Sequence, residues 1–290
     1  LSLIFLSIFI AQPKIIAPAI TNINNGPPMI PFLFVTIACG AISGFHGLVS
    51  SGTTSKQVNK MEDARMIGYG ATLGEGSLAL AATIAAIAGV SFVSSQNDLC
   101  LPWACDFGNA KSNALTVFIS GSSALLQKVG LSESLSTTLI VVLVVSFAAT
   151  TLDSATRIQR YIICEFGNAT NISILKNKYS ATLFSIIPAY FIATNDSLRN
   201  ELWQTFGASN QMLAALTLMI LSIYFWNKGK NIMPILIPMI FIMIITLFAL
   251  VLRFNQSTTN LLTLINGTLI ILILWMIGEG IIYYYNKINE

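Results

Sequence analysis

Residues 37–54 read IACGAISGFHGLVSSGTT and close an apolar run that begins near Ile30. The run is hydrophobic enough to enter a bilayer, yet it carries Gly40, Gly44, Gly47 and Gly52, several serines and the chain's single histidine, His46. Each glycine costs roughly 1 kcal/mol against alanine inside a helix, so this density points to close backbone packing or local unwinding. Backbone freed at membrane depth survives only where protein buries it or where it lines a wet cavity, and transporters place their sites there. The stretch is therefore expected to be the broken or closely packed helix of a transport site.

Composition supports that frame. Charged residues are 9% of the 290 and hydrophobic ones 54%, against about 25% and 45–50% in soluble domains. Such a chain is an integral membrane protein, expected to be all-α. A net charge of +3 with no basic cluster among aromatics argues against nucleic acid as a partner. Four scattered cysteines and one histidine do not make a zinc site or a disulfide scaffold, so no metal or cofactor is expected. The absence of a GxxxxGK[ST] sequence leaves nothing that points to ATP hydrolysis.

Eight spans are read along the chain. The first apolar run reaches only about Ala11 before Gln12, Pro13 and Lys14; a crossing needs about 20 residues, so this span reads as cut. The others are about Ile30–Ser51, Met66–Val93, Leu135–Leu152, Ala181–Ala193, Leu202–Trp226, Ile232–Leu252 and Leu261–Tyr285. The fourth is expected to continue as helix through Asp153 to Phe166. Between Ser94 and Ser132 the apolar piece Ala114–Leu126 is too short to cross comfortably and reads as interfacial or re-entrant. Of the fifteen lysines and arginines, ten fall in one set of alternate connections. By the positive-inside rule that set is cytoplasmic, together with the C-terminus.

Four stretches resemble the carbon-starvation protein A family of bacterial inner-membrane transporters. They are SGFHGLVSSGTTSKQ (43–57), ARMIGYGATLGEG (64–76), SFAATTLDSATRIQRYI (146–162) and LWQTFGASNQMLAALTL (202–218). The resemblance implies a multi-pass protein of the cell inner membrane that imports peptides or, in some members, pyruvate, in the response to carbon starvation. Members are roughly twice as long, and what is present resembles their C-terminal part. Residues 1–172 then correspond to the C-terminal part of the transporter core, and 173–290 to C-terminal helices of the same membrane domain. The family is thought to be related to the amino-acid and cation symporters built from inverted five-helix repeats. On that analogy the central span opens the second repeat.

Several side chains are candidates for chemistry. His46, an imidazole that can both donate and accept, is suited to relay a proton or meet a substrate carboxylate; the alternative is a histidine bonded to a neighbouring helix. Ser43, Ser50 and Ser51, with Gly44 and Gly47, offer hydroxyls and bare amides to a substrate, or serve tight packing. Glu75, between Gly74 and Gly76, is a carboxylate inside a span and so a proton-site candidate, or a structural partner of His46 or Arg65. Thr150, Thr151, Asp153 and Ser154 end the fourth span. In the symporter analogy hydroxyls on the corresponding span help hold a cation, and oxygen ligands suit a hard one; alternatively Asp153 and Arg157 form an interfacial pair. Asn210 and Gln211 must find partners across helices or on the substrate. Glu279 reads as an interface residue. Cys100 and Cys105 share a connection expected outside, where a disulfide persists, whereas Cys39 and Cys164 read as buried thiols.

The leading function is secondary transport of a small carboxylate-bearing solute, most readily a peptide, with protons or sodium. Pyruvate symport is the close alternative. A membrane fragment that only scaffolds a partner is the alternative from another class. An intramembrane hydrolase is disfavoured: Ser51 lies five positions from His46, on another helix face, and no GxSxG elbow occurs.

Overall fold

The computed structural model describes residues 1–19, 29–93, 101, 103–256 and 260–289, and every element among them is helical. Among the described residues six helical segments are long and apolar enough to cross a membrane: Ile30–Gln57, Asp63–Ile87, Glu133–Thr170, Thr205–Asn227, Met233–Asn255 and Leu262–Asn286. The remaining two of the eight expected spans are shorter. They are α1 (Ser2–Ala11), of 10 residues, and α9 (Lys178–Thr194), of 17 with Pro188 inside it. The architecture is that of an all-α membrane protein, and large apolar side chains such as Phe9, Tyr190 and Ile244 stand exposed, as lipid-facing residues do.

The chain forms two compact units. The first comprises Leu1–Gly26 and Val58–Asp153. It contains α1, α5 (Asp63–Ile87), a 3₁₀ turn at Gly89–Phe92, α6 (Phe107–Gln127) and the opening of α7 (Glu133–Thr170). Ile4, Ala81, Leu126 and Ile140 meet in its core, one from each helix. The approach of α5 to α6 is backbone against backbone: a Cβ on Gly121 would lie 2.2 Å from the Ala85 carbonyl oxygen. The apolar piece expected at 114–126 is thus the second half of a longer helix. Its first turns, with Asn109 and Asn113, are polar enough to have read as connection.

The second unit comprises Pro27–Gln57 and Ser154–Glu290. It holds the central span, the rest of α7, α8 (Ser173–Lys176), α9, α10 (Asp196–Asn227), α11 (Met233–Gln256) and α12 (Asn260–Asn289). Its core joins α10, α11 and α12 through Ala215, Met219, Met239, Met243, Ile273 and Met276. Aromatic and hydroxyl contacts fasten one end: Trp226 stacks on Tyr284 at 4.7 Å, and Ser222 hydrogen-bonds the Tyr284 hydroxyl. α10 stops in a Schellman turn, with Gly229 at φ 67° and the Lys230 amide donating to the Phe225 carbonyl over 3.0 Å. α7 ends the same way on Asn171, φ 58°, where the Ile172 amide donates to the Gly167 carbonyl. The continuation of α7 past Asp153 matches expectation; at 38 residues the helix is about 57 Å long, well beyond a hydrocarbon thickness of about 30 Å.

Candidate functional site

The central span is broken. α2 (Phe34–Ala41) closes with the Ile42 amide donating to the Ala38 carbonyl over 2.7 Å. Ser43 is extended, at φ −108° and ψ 124°, and α3 (Gly44–Val49) then begins. A π-helical turn at Ser50–Thr54 and the short α4 (Ser55–Gln57) complete the segment. A break leaves carbonyls behind it and amides ahead of it without helical partners. Two consecutive side chains of α10 take up part of that deficit.

Asn210 acts on the amide side. Its Oδ1 accepts from the Phe45 amide at 2.8 Å and from the Ser43 hydroxyl at 3.2 Å, and its Nδ2 donates to Cys39 Sγ at 2.8 Å. A helix N-cap side chain ordinarily supplies such an acceptor to the second or third residue of the helix. Ser43 occupies the cap position without making that bond, and Asn210 supplies the oxygen from a different helix. Gln211 acts on the carbonyl side: its Nε2 donates to the Ile42 carbonyl at 3.1 Å. Both residues are buried, Asn210 at 2% and Gln211 at 1% exposure. The Ile42 carbonyl fixes which way the Gln211 amide points, and leaves Gln211 Oε1 buried with no hydrogen-bond partner among the described residues.

Glycine lets the two helices come this close. A Cβ on Gly44 would fall 2.3 Å from Leu213 Cβ and 2.4 Å from the Asn210 carbonyl oxygen; one on Gly47 would fall 2.7 Å from Thr217 Oγ1. The partners at 210, 213, 214 and 217 recur at helical spacing, so one ridge of α10 receives the bare face of α3. The stretch is both broken and closely packed, the two readings its glycine content supports.

The remaining candidates lie elsewhere. His46 is exposed, with its ring edge-on to Phe45 at 6.0 Å. Ser50 and Ser51, also exposed, both donate to the Gly47 carbonyl at 3.0 Å, where the helix widens into its π turn. In the first unit, Glu75 is exposed on α5 and makes no ion pair with Arg65. Thr150, Thr151, Asp153 and Ser154 follow one another on the uninterrupted α7. Thr150 donates to the carbonyls of Ser146 and Phe147, at 3.1 and 3.0 Å. Among the described residues no three of His, Cys, Asp and Glu gather as a metal site. Cys39 and Cys164 are free and half-buried; Cys105 is disulfide-bonded, and Cys100 lies outside the described residues.

Two participants escaped the sequence reading: Cys39, which receives the Asn210 amide, and Thr217, which packs on Gly47. Thr217 carries a usable signal, since it lies seven residues after Asn210 and so on the same face. Elsewhere on α10, with α12, an apolar cleft of about 390 Å³ opens beside Leu213, Leu216, Trp275 and Met276. Glu279 is an ionisable residue of its wall, and its carboxylate accepts from Trp275 Nε1 at 3.1 Å.

Comparison with known proteins adds the family. The model described as Carbon starvation protein CstA matches residues 1–97 and 106–249. The Helicobacter pylori (strain ATCC 700392 / 26695) protein named Peptide transporter CstA is 29% identical over 306 residues, covering 87% of this chain and 44% of that protein. Peptide transporter CstA of Bacillus subtilis is 27% identical, over 85% of this chain and 47% of the relative. The Escherichia coli protein named Pyruvate/proton symporter BtsT is 48% identical over 87 residues, 28% of this chain and 12% of the relative. The chain thus spans less than half the length of the relatives it matches most broadly. No solved structure matches it significantly.

Proposed function

The chain belongs to the carbon-starvation protein CstA family, and on that premise we propose that it forms part of a secondary transporter importing small carboxylate-bearing nutrients, peptides first among them. The observation that carries the reading is the break at Ile42–Ser43, closed by Asn210 and Gln211. An unbroken helix keeps its polar backbone to itself. A broken one at membrane depth presents carbonyls and amides, and in transporters such groups meet substrates and coupling ions.

In this reading α10 holds the break shut. Gln211 Oε1 is an acceptor buried without a donor, a condition that disfavours the closed seam by about 1–3 kcal/mol. Loosening the seam gives that oxygen access to a donor, so opening is within reach of ordinary binding energies. His46, Ser50 and Ser51, at or beyond the break, meet the substrate carboxylate or pass the proton. Glu75, and the Thr150, Thr151, Asp153 and Ser154 group, are the further proton or sodium candidates. Membership of a family named for carbon starvation supports a role in that response. The unequal division of lysine and arginine among the connections supports an inner-membrane protein with its C-terminus in the cytoplasm.

Pyruvate is the second reading, favoured by the higher identity to the pyruvate/proton symporter within its 87 matched residues. Uptake of labelled alanyl peptides and of labelled pyruvate, in cells expressing the full-length gene or its Asn210→Ala and His46→Ala variants, tests both. Peptide uptake that falls at least tenfold in the variants, at unchanged membrane abundance, supports the proposal. Uptake of pyruvate alone replaces the substrate. Uptake of neither, with the protein correctly inserted, favours a scaffold and overturns it.

A further inference from the structure

Lys56 and Arg160 converge on one aromatic ring. The Lys56 ammonium lies 5.3 Å from the centre of the Tyr161 ring, and the Arg160 guanidinium lies 5.4 Å from it. Both cations and the ring belong to the second unit. Among the described residues neither cation has a carboxylate within ion-pairing distance. Glu165, one turn beyond Tyr161 on α7, is exposed and pairs with neither. Two like charges gathered on one side chain without a counter-charge form a seat for an anion.

The depth of this seat identifies the anion. Lys56 lies at the end of the candidate span Ile30–Gln57, and Arg160 lies two turns past Leu152, where the apolar run of α7 stops. Tyr161 is 43% exposed. A half-exposed tyrosine flanked by cations at the mouth of two apolar segments has the composition of the headgroup layer. Phosphate is the anion that layer offers, and cations beside a bilayer are drawn to acidic lipids. We propose that Lys56, Arg160 and Tyr161 bind the phosphate of an anionic phospholipid and so anchor the end of the broken span to α7 through a lipid. This site stands apart from the α3 and α10 seam and does not depend on what is transported.

Native mass spectrometry of the full-length protein in detergent tests the proposal, with phosphatidylglycerol, phosphatidylcholine and inorganic phosphate as separate probes. Phosphatidylglycerol is expected to bind at least tenfold more tightly than phosphatidylcholine. Each cation contributes roughly fivefold, so the Lys56→Gln/Arg160→Gln double variant should lose about 25-fold, with phosphatidylcholine unaffected. In the unsubstituted protein the preference should shrink as salt rises from 50 to 500 mM, a measurement independent of whether the variants fold. The proposal is overturned if the preference is salt-insensitive, or if folded double variant binds phosphatidylglycerol as the parent does. It is overturned as well if inorganic phosphate binds as tightly as the lipid, which would make this a soluble-anion site.

Discussion

Two glycine-rich helices in this chain use glycine differently. On α3, Gly44 and Gly47 lie against α10 so closely that a methyl group on Gly44 would enter the space of Leu213 and of the α10 backbone. On α5, Gly68, Gly70, Gly74 and Gly76 face open space, with no atom of the described residues within 4 Å of where a Cβ would stand. Glycine density therefore reports that a helix face has been left bare. The neighbour that uses the bareness has to be found elsewhere in the sequence. For α3 it is α10, where an asparagine, a glutamine, small residues and a threonine recur on one ridge.

The sharpest way to break this contrast is Gly44→Ala. The added methyl meets Leu213 Cβ at 2.3 Å and the Asn210 carbonyl at 2.4 Å, so α3 has to move. Overpacking of this kind costs about 2–3 kcal/mol, seen as a lower melting temperature of the purified protein in detergent. An unchanged melt would mean the two helices do not touch there. Asn210→Ala comes next, because it leaves the half-buried Phe45 amide without its acceptor, at about 1 kcal/mol. Asn210→Asp keeps the accepting oxygen but sets a carboxylate at a site only 2% exposed and loses the donation to Cys39, so it should be at least as damaging.

Smaller effects sharpen the comparison. Gly47→Ala meets a side chain, Thr217, rather than backbone, and should cost under about 1 kcal/mol. Thr217→Ala should relieve much of that, and the double-mutant cycle measures the coupling. On α5, Gly74→Ala enters open space and should stabilise by up to about 1 kcal/mol through helix propensity alone. If the same change lowers the melting temperature of the full-length protein, a surface outside this chain packs on α5, and the two helices are more alike than they look here.

How far the sequence reached follows from the same residues. The break was legible in kind, because glycine and serine at membrane depth have few stable arrangements. Its position was not, since Gly40, Gly44, Gly47 and Gly52 mark several places where a helix can part. The point at Ser43 depends on Asn210, 167 residues away, and no local pattern encodes that pairing. The two amides on α10 were legible as groups needing partners, with both interhelical and substrate roles open; the hydrogen bonds across to α3 are the interhelical ones. His46, the most conspicuous residue in the stretch, sits outside the packed seam because α3 turns its glycine face to α10. The start of α6 was hidden for another reason: its polar first turns interrupt the apolar signal that marks membrane helices.

Gln211 carries one more implication. Its Nε2 donates to a carbonyl that a carboxylate would repel, so the position discriminates between an amide and an acid of the same shape. A Gln211→Glu protein would set a carboxylate oxygen against the Ile42 carbonyl where an amide now donates, so the closed arrangement of the break should lose that support. Exchanging one NH2 for an oxygen would turn a bond that holds the two segments together into a repulsion that parts them.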